Sequence, residues 1–380
     1  MWGERRRFAV GVAASTAALS LVVAGSGCFD GTTRTPPGEA QAKRSSQKPA
    51  KGDGETRDRR ASSAGTITIA AVGDTAMGVT PTLPPDPASY FVPVEAELKG
   101  NIVFGNLEGT LTDVSESPKC GPESSECFAF RAPPEYADYL AGAGFTLMSN
   151  ANNHSFDFGE AGEEETIRAL HEAGIEQTGL PDEITVVSAA GRRLAFVGFA
   201  PYSNTPSLTD LDAAEDLVRK ADRKAAIVVV AIHAGAEGSD AQHVTGGEEE
   251  YLGEDRGNPE AFAHRVIDAG ADLVLGSGPH VLRGMEIYRD RLVAYSLGNF
   301  SGFHNFTIEG VLGESAVLHV TVAGDGSFRA GRLASLQLVE EGQPVPDPEE
   351  AAADEVAGLS AEDFGGTAVQ IKDGGRLRAP

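Results

Sequence analysis

Ala143-Gly144-Phe145-Thr146-Leu147-Met148-Ser149-Asn150-Ala151-Asn152-Asn153-His154 holds the plan of this chain in a single stretch. The apolar spacing over Glu135–Ala143 predicts a helix, and Gly144 stands where a helix C-cap belongs. The run from Phe145 to Met148 then reads as a short buried strand, and polar residues begin where it ends. An amide beside an imidazole just past a strand end suits metal-assisted hydrolysis. The amide oxygen of Asn153 can ligate a hard cation, and the His154 ring can carry a proton. Asp157 follows closely and either orders its own loop or orients His154.

The same order of signals recurs outward in both directions. Helical spacing appears over Glu163–Ala173, Ala213–Arg223 and Pro259–Ala269, with Gly174 and Gly270 closing two of these. Short apolar runs cover Thr66–Val72, Asn101–Phe104, Leu194–Phe199, Ala226–Ile232, Leu273–Leu275 and Leu292–Tyr295. Helices alternating with short apolar strands predict an α/β layered domain. Ala316–Val322 and Phe328–Val339 alternate apolar and polar residues with no helix between them, which predicts antiparallel strands. The folded domain is expected over 66–340. Residues 341–380, rich in proline and acidic side chains, read as an irregular acidic tail.

The chain has 380 residues and a formal net charge of -25. Its first 60 residues are net basic, so the remainder is more acidic still. Such a surface repels polyphosphate backbones and argues against a nucleic-acid partner. Residues 1–28 read as an export signal: Glu4-Arg5-Arg6-Arg7, an apolar stretch from Phe8 to Gly25, then Ser26-Gly27-Cys28. Small residues leading into a cysteine fit a lipoprotein signal, so Cys28 is the expected lipid anchor. Residues 29–65 lack large apolar side chains and read as a disordered linker. The body is therefore expected outside the cytoplasm, on the outer face of a membrane. Cys120 and Cys127 flank a loop-forming stretch and are expected to pair in that oxidising setting.

Polar groups gather where the predicted strands end, the usual ligand position in open α/β sheets. Asp74 follows the first strand, Asn106 and Glu108 the second, Asn153 and His154 the third. His233 closes the run Ile227–Ile232, and His280 follows Leu273-Val274-Leu275-Gly276-Ser277-Gly278-Pro279. Carboxylate, amide and imidazole donors together are what one or two divalent cations require. The chain has no Gly-x-Ser-x-Gly elbow, no P-loop and no dinucleotide fingerprint. Serine hydrolase, kinase and dehydrogenase readings therefore lack support.

In order along the chain stand Ala71-Val72-Gly73-Asp74, Gly105-Asn106-Leu107-Glu108, Asn152-Asn153-His154 with Asp157 and Gly159, His233-Ala234-Gly235-Ala236-Glu237, Gly278-Pro279-His280-Val281 and Tyr295-Ser296-Leu297-Gly298-Asn299-Phe300. This set resembles the CapA family of capsule-synthesis proteins, associated with poly-γ-glutamate production. That family is similar in turn to the calcineurin-like metallophosphoesterases. The resemblance implies a four-layered α/β/β/α sandwich of metallophosphoesterase type and a divalent metal ion, Mn, Mg or Zn. By it Asp74, Glu108 or Asn106, Asn153, His233 and His280 are candidate ligands, and His154 handles the proton.

Three departures stand out. Asp74-Thr75-Ala76 replaces Asp-x-His, Gly278-Pro279-His280 replaces the His-Pro-His of many relatives, and His233-Ala234-Gly235 replaces His-Trp-Gly. Fewer nitrogen ligands imply a harder metal, weaker zinc binding or no metal. The implied partners are an anionic polymer or a small phosphorylated substrate, the membrane through Cys28, and membrane synthase subunits. Two rivals to a capsule-linked hydrolase are a non-catalytic accessory subunit and a phosphoesterase unrelated to capsule. If Cys28 is the anchor, Cys28→Ala moves the protein from the membrane fraction to the soluble fraction. Immunoblotting of both fractions checks this, and unchanged membrane retention would point to the apolar segment itself.

Overall fold

A computed structural model describes residues 65–120 and 127–380. The expected leader over 1–28, with Cys28, and the expected linker apart from its last residue lie outside the described residues.

Two sheets carry the core. In the first, strands lie in the order Gln370–Lys372, Arg376–Arg378, Phe328–Val339, Glu314–Ala323, Thr66–Thr75, Ile102–Leu107, Leu147–Ser149 and Glu176–Thr178. Its last four strands pair in parallel, and the others pair antiparallel. The second runs Met285–Tyr288, Arg291–Ala294, Leu273–Ser277, Ile227–His233, Arg192–Phe199 and Thr185–Ala189. Here the central pairs are parallel, and the two outer pairs are antiparallel hairpins.

Pleating sends alternate residues to opposite faces of a strand, and that alternation sets the layers. Ile67, Ile69 and Ala71 of the first sheet share one buried cluster with Phe196, Val229 and Leu275 of the second. Phe104 and Phe196 stack across it with ring centroids 6.1 Å apart. The intervening residues Ala70, Val72 and Val103 pack with Tyr136, Leu140 and Leu170 of the helices Tyr136–Ala143 and Gly159–Glu172. Beyond the second sheet, Val197, Val228 and Val230 meet Leu217, Val218 and Phe262 of the helices Leu211–Asp222 and Pro259–Ala269. Helix, sheet, sheet, helix is the four-layered α/β/β/α sandwich.

Local signals explain why the helices sit where they do. Asn258 caps Pro259–Ala269 by accepting from the Ala261 N–H at 2.9 Å, with proline at the first helical position. Gly144, Gly174 and Gly270 all have positive φ, the turn a glycine cap supplies. Gly159–Glu172 starts a turn earlier than its apolar spacing suggests. Among the described residues no helix is long and apolar enough to cross a membrane.

The reading of 341–380 as an irregular acidic tail is corrected. Gln343–Pro346 and Arg376–Arg378 both pair with the long strand Phe328–Val339, and Ala351–Phe364 is a helix. That helix buries Ala352, Ala353, Val356, Leu359 and Ser360. Acidic residues mask the pattern because they occupy the other face, and the buried face is built mostly of small side chains. Pro344 and Pro346 fall in an edge strand, where a missing N–H costs no ladder bond. The folded domain therefore extends past residue 340. Leu377 is buried in the inter-sheet cluster, so Leu377→Ala should cost about 2–4 kcal/mol in denaturant unfolding. A change below roughly 0.5 kcal/mol would be the value for a surface side chain.

Candidate metal centre

The carboxyl ends of the parallel strands from both sheets meet at one place. Gly73 makes the approach feasible: a Cβ there would lie 2.0 Å from the Gly298 carbonyl oxygen. With only hydrogens at that position, the Asp74 N–H donates to the same oxygen at 2.9 Å. Asp74 is fully buried. Its Oδ1 accepts from Asn106 Nδ2 at 2.8 Å, and its Oδ2 accepts from the Gly278 N–H at 3.3 Å. Asn152 Nδ2 in turn donates to Asn106 Oδ1 at 3.1 Å and to the Leu107 carbonyl at 2.8 Å. Asn106 is thus the tie between Asp74 and the Asn152 loop.

Glu108 behaves differently. It is fully buried, and neither carboxylate oxygen has a hydrogen-bond partner. His233 is also fully buried, with Nε2 unpartnered, while Nδ1 lies 3.4 Å from Asn106 Nδ2 and from Ser277 Oγ. One ligand atom each from Asp74, Glu108 and His233 lie within 4.8 Å of one another. Asn153 Oδ1 is a further buried, unpartnered acceptor on the cavity that Glu108 also lines. Buried polar atoms rarely go without a partner. Two carboxylates, an imidazole and an amide oxygen, several of them unpartnered, suit a divalent cation.

His280 occupies the middle of this acidic group with its backbone in the left-handed region, φ 62. Its Nδ1 lies 2.9 Å from Asn299 Oδ1 and 3.3 Å from Asp74 Oδ2. Its Nε2 lies 3.5 Å from Glu108 Oε1 and 3.8 Å from Glu237 Oε2. Burial works to lower its pKa, but the Glu108, Asp74 and Glu237 carboxylates outweigh it and hold it at about 10. Burial likewise opposes ionisation of Asp74, yet the hydrogen bond and charge of His280, with His233 and Asn106, lower it to about 2. Glu108 is pushed well above the usual range, by burial first and then by the neighbouring Asp74 and Glu237 charges. Burial drives His233 well below its ordinary value, leaving a neutral ring with a lone pair to offer.

His154 stands at the rim of the group, with Nε2 4.0 Å from Glu108 Oε1. Its Nδ1 is 2.7 Å from Asp157 Oδ2, and the Phe130 ring stacks on it at 4.0 Å. Asp157 also accepts from the Phe130 N–H at 2.6 Å and from Lys119 Nζ at 2.6 Å. Of the two roles open to Asp157, the structure supports orienting His154. Burial lowers the His154 pKa despite the hydrogen bond to Asp157, which favours a neutral ring. Lys119 and Phe130 flank the Cys120–Cys127 disulfide, which is formed.

Sequence reading did not pick out Lys119, Phe130, Glu237 or Arg256 as site residues. Glu237 pairs with buried Arg256 at 2.5 Å, and the Arg256 guanidinium donates to Tyr202 Oη at 2.6 Å. The nearest signals were Lys119 beside Cys120 and Glu237 four residues after His233. Arg283 and Glu286 stand apart from the centre. Arg283 binds Glu249 at 2.7 Å, and Glu286 binds His264 at 2.6 Å.

A four-layered α/β sandwich that gathers buried acidic and imidazole donors at its strand ends presents a donor set suited to a divalent cation. This chain belongs to the family of bacterial capsule synthesis proteins described as PGA_cap, whose model matches residues 68–302. It is 30% identical over 218 residues to the capsule biosynthesis protein CapA of Bacillus anthracis, covering 52% of this chain and 49% of that one. The chain thus spans about half the length of that relative. To the PGA biosynthesis protein CapA of Bacillus subtilis (strain 168) it is 27% identical over 272 residues, covering 66% and 67%. Similar solved structures include a 5'-nucleotidase precursor from Thermus thermophilus, at TM-score 0.40 and 15% identity over 78% of this chain and 59% of that one. A hypothetical protein from the same organism gives TM-score 0.45 and 16% identity, covering 71% and 99%.

Metal uptake should release protons, because His280 must surrender one before Nε2 can ligate. Manganese affinity is then expected to rise about tenfold per pH unit, or more steeply, between pH 6 and 8. His280→Gln should make that slope shallower. Calorimetric titrations in buffers of different ionisation enthalpy check both, and a flat profile in the unsubstituted protein would exclude His280 as the proton source.

Proposed function

We propose that this chain is an exported, lipid-anchored protein of capsule polymer synthesis, release or transport, carrying a metal-dependent hydrolase site. The observation that carries the reading is the set of unpartnered buried acceptors, Glu108 Oε1 and Oε2, Asn153 Oδ1 and His233 Nε2, around ionised Asp74. Asp74, Glu108, His233 and His280 would hold the cation, with Asn153 completing the set. A bound Mn, Mg or Zn would supply Lewis-acid polarisation of a phosphoryl or carbonyl oxygen.

The chain's own residues then account for the proton. Asp157 fixes the His154 Nδ1 side and the Phe130 ring fixes its plane, so Nε2 is directed toward the Glu108 side of the cleft. A neutral, oriented imidazole can take a proton or return one to a departing oxygen. Lys119 balances the Asp157 charge and so keeps the carboxylate in place. The capsule connection is supported by the family and by the printed names of the two Bacillus relatives. A poly-γ-glutamate type polymer, or a phosphorylated precursor of it, is the substrate class proposed. Export and the outer-face location rest on residues 1–28.

A second reading, a non-catalytic subunit that binds polymer or a membrane synthase, is favoured by Ala76 and Gly278 standing where relatives carry histidine. One experiment separates the two. Protein lacking residues 1–28 is assayed for bound metal and for phosphodiester and γ-glutamyl hydrolysis with Mn, Mg and Zn. His154→Ala should lower turnover by about 10²–10⁴-fold while leaving metal content unchanged and the protein folded. No bound metal and no turnover with any of the three cations would reject the hydrolase.

A further inference from the structure

The cleft over the candidate centre has a volume of about 630 Å³, and its buried and exposed linings differ in chemistry. Glu108, His154 and His280 line the buried part. Towards solvent the lining turns aromatic and aliphatic: Phe128, Phe130, Phe306, Tyr251 and Leu252. These rings form a continuous wall. Phe306 lies 5.1 Å from the His280 ring, and Phe130 stacks on His154. Phe130 and Phe306 meet edge to face at 6.3 Å, and Phe128 extends the row 6.4 Å from Phe130. An aromatic surface therefore runs from both imidazoles out to water.

Two side chains lining this mouth stand largely in solvent. Phe128 is 64% exposed and Leu252 is 87% exposed, among only five large exposed hydrophobic residues in the described chain. Leu252 forms the turn of the hairpin Glu249–Tyr251 and Glu254–Gly257 with φ 51, followed by Gly253 at φ 82. Turns with two positive φ values are ordinarily filled by Asn, Asp and Gly. A leucine there accepts an unfavourable backbone and packs against almost nothing, so its use must come from something that enters the cleft.

The charged side chains at the mouth are largely paired with one another, so the apolar wall is its distinguishing feature. Glu237 and Glu254 line the same cleft, and its lysine and arginine are already engaged. Arg256 is bound to Glu237 and Tyr202, and Lys119 to Asp157.

The geometry points to a subsite for a planar, apolar ring: the cleft takes a phosphoester whose departing group carries that ring, held between the Phe128–Phe130–Phe306 wall and Leu252. This rests on the reading of the centre as a hydrolase site. In that reaction a water oxygen bonds to phosphorus and the P–O bond to the ring-bearing group breaks. One water proton ends on the departing oxygen, and the other stays with inorganic phosphate.

The test is a pair of phosphonates that cannot be hydrolysed, phenylphosphonate and methylphosphonate, titrated calorimetrically into manganese-loaded protein. The phenyl compound is expected to bind about tenfold more tightly than the methyl compound. Phe128→Ala and Leu252→Gly should each bring that ratio to within about threefold. Both positions are exposed, and glycine relieves the backbone at 252, so neither variant should impair folding. Equal affinity for the two compounds, or binding of neither, overturns the ring subsite. Ring-dependent binding with no ester hydrolysed leaves the subsite standing and removes only the hydrolase reading. Equal phosphonate affinities together with Phe128-dependent sedimentation on phosphatidylcholine vesicles would reassign the mouth to a lipid surface.

Discussion

Negative charge held in a dry place is the constraint on which this molecule is organised. Asp74 and Glu108 are both fully buried, and Glu237 adds a third carboxylate nearby. Such groups cannot all ionise in a low dielectric without a counter-charge. The chain provides one in His280, whose ring reaches Asp74 with one nitrogen and Glu108 with the other. Placing it there requires a left-handed backbone at a non-glycine residue, a cost that proteins tend to accept at functional sites. An imidazolium in that position does electrostatically what a divalent cation would do more strongly. The same ring can then pass from counter-ion to ligand by losing one proton.

Behind the charged group lie two hydrogen-bonded supports of different origin. The inner one runs from Asn152 through Asn106 to Asp74 and is built from three strand ends of one sheet. The outer one joins Lys119, Asp157, His154 and Phe130, and it depends on a loop whose two ends are held together by Cys120–Cys127. Closing that loop brings a cation and an aromatic ring to the same carboxylate from two sides. The inner support fixes where a cation would sit, and the outer one fixes which nitrogen of His154 faces the cleft. A site of this kind needs both, because a positioned ion without an oriented proton carrier polarises a bond but does not complete its cleavage.

What could be read from residue order follows the range of each interaction. The helix–glycine–strand alternation was legible because C-caps and apolar periodicity act within a few residues, and Gly144, Gly174 and Gly270 adopt the backbone this required. The gathering of Asp74, Glu108, His233 and His280 was legible because strand ends in layered α/β folds converge. The role of Asp157 was not, since its partners Lys119 and Phe130 lie 38 and 27 residues away and arrive through loop closure. Nor could the sequence separate Asn106 from Glu108 as ligand. That distinction rests on Asn152 donating to the Asn106 oxygen while no hydrogen bond reaches those of Glu108. The C-terminal helix was hidden for a compositional reason, because its buried stripe is small and its exposed face is acidic.

The departures from the family pattern can now be given a physical meaning. Gly278, where relatives carry histidine, has φ 110, and a Cβ there would sit 3.2 Å from the His233 ring. Its N–H points to Asp74 Oδ2 instead. The chain has exchanged a nitrogen ligand for a backbone donor that pins a carboxylate. At Ala76 the N–H bonds the Ser301 carbonyl at 2.9 Å, tying the strand end to Asn299–Ser301. Backbone bonds at both positions hold the Asp74 corner, where two imidazoles fewer stand than the resemblance implies. The donor set that stands here is rich in oxygen, with Asp74, Glu108 and Asn153 beside the His233 and His280 rings. Asp74, Glu108 and the strained His280 are each costly to bury alone, and their placement beside one another lets each offset the cost of the others.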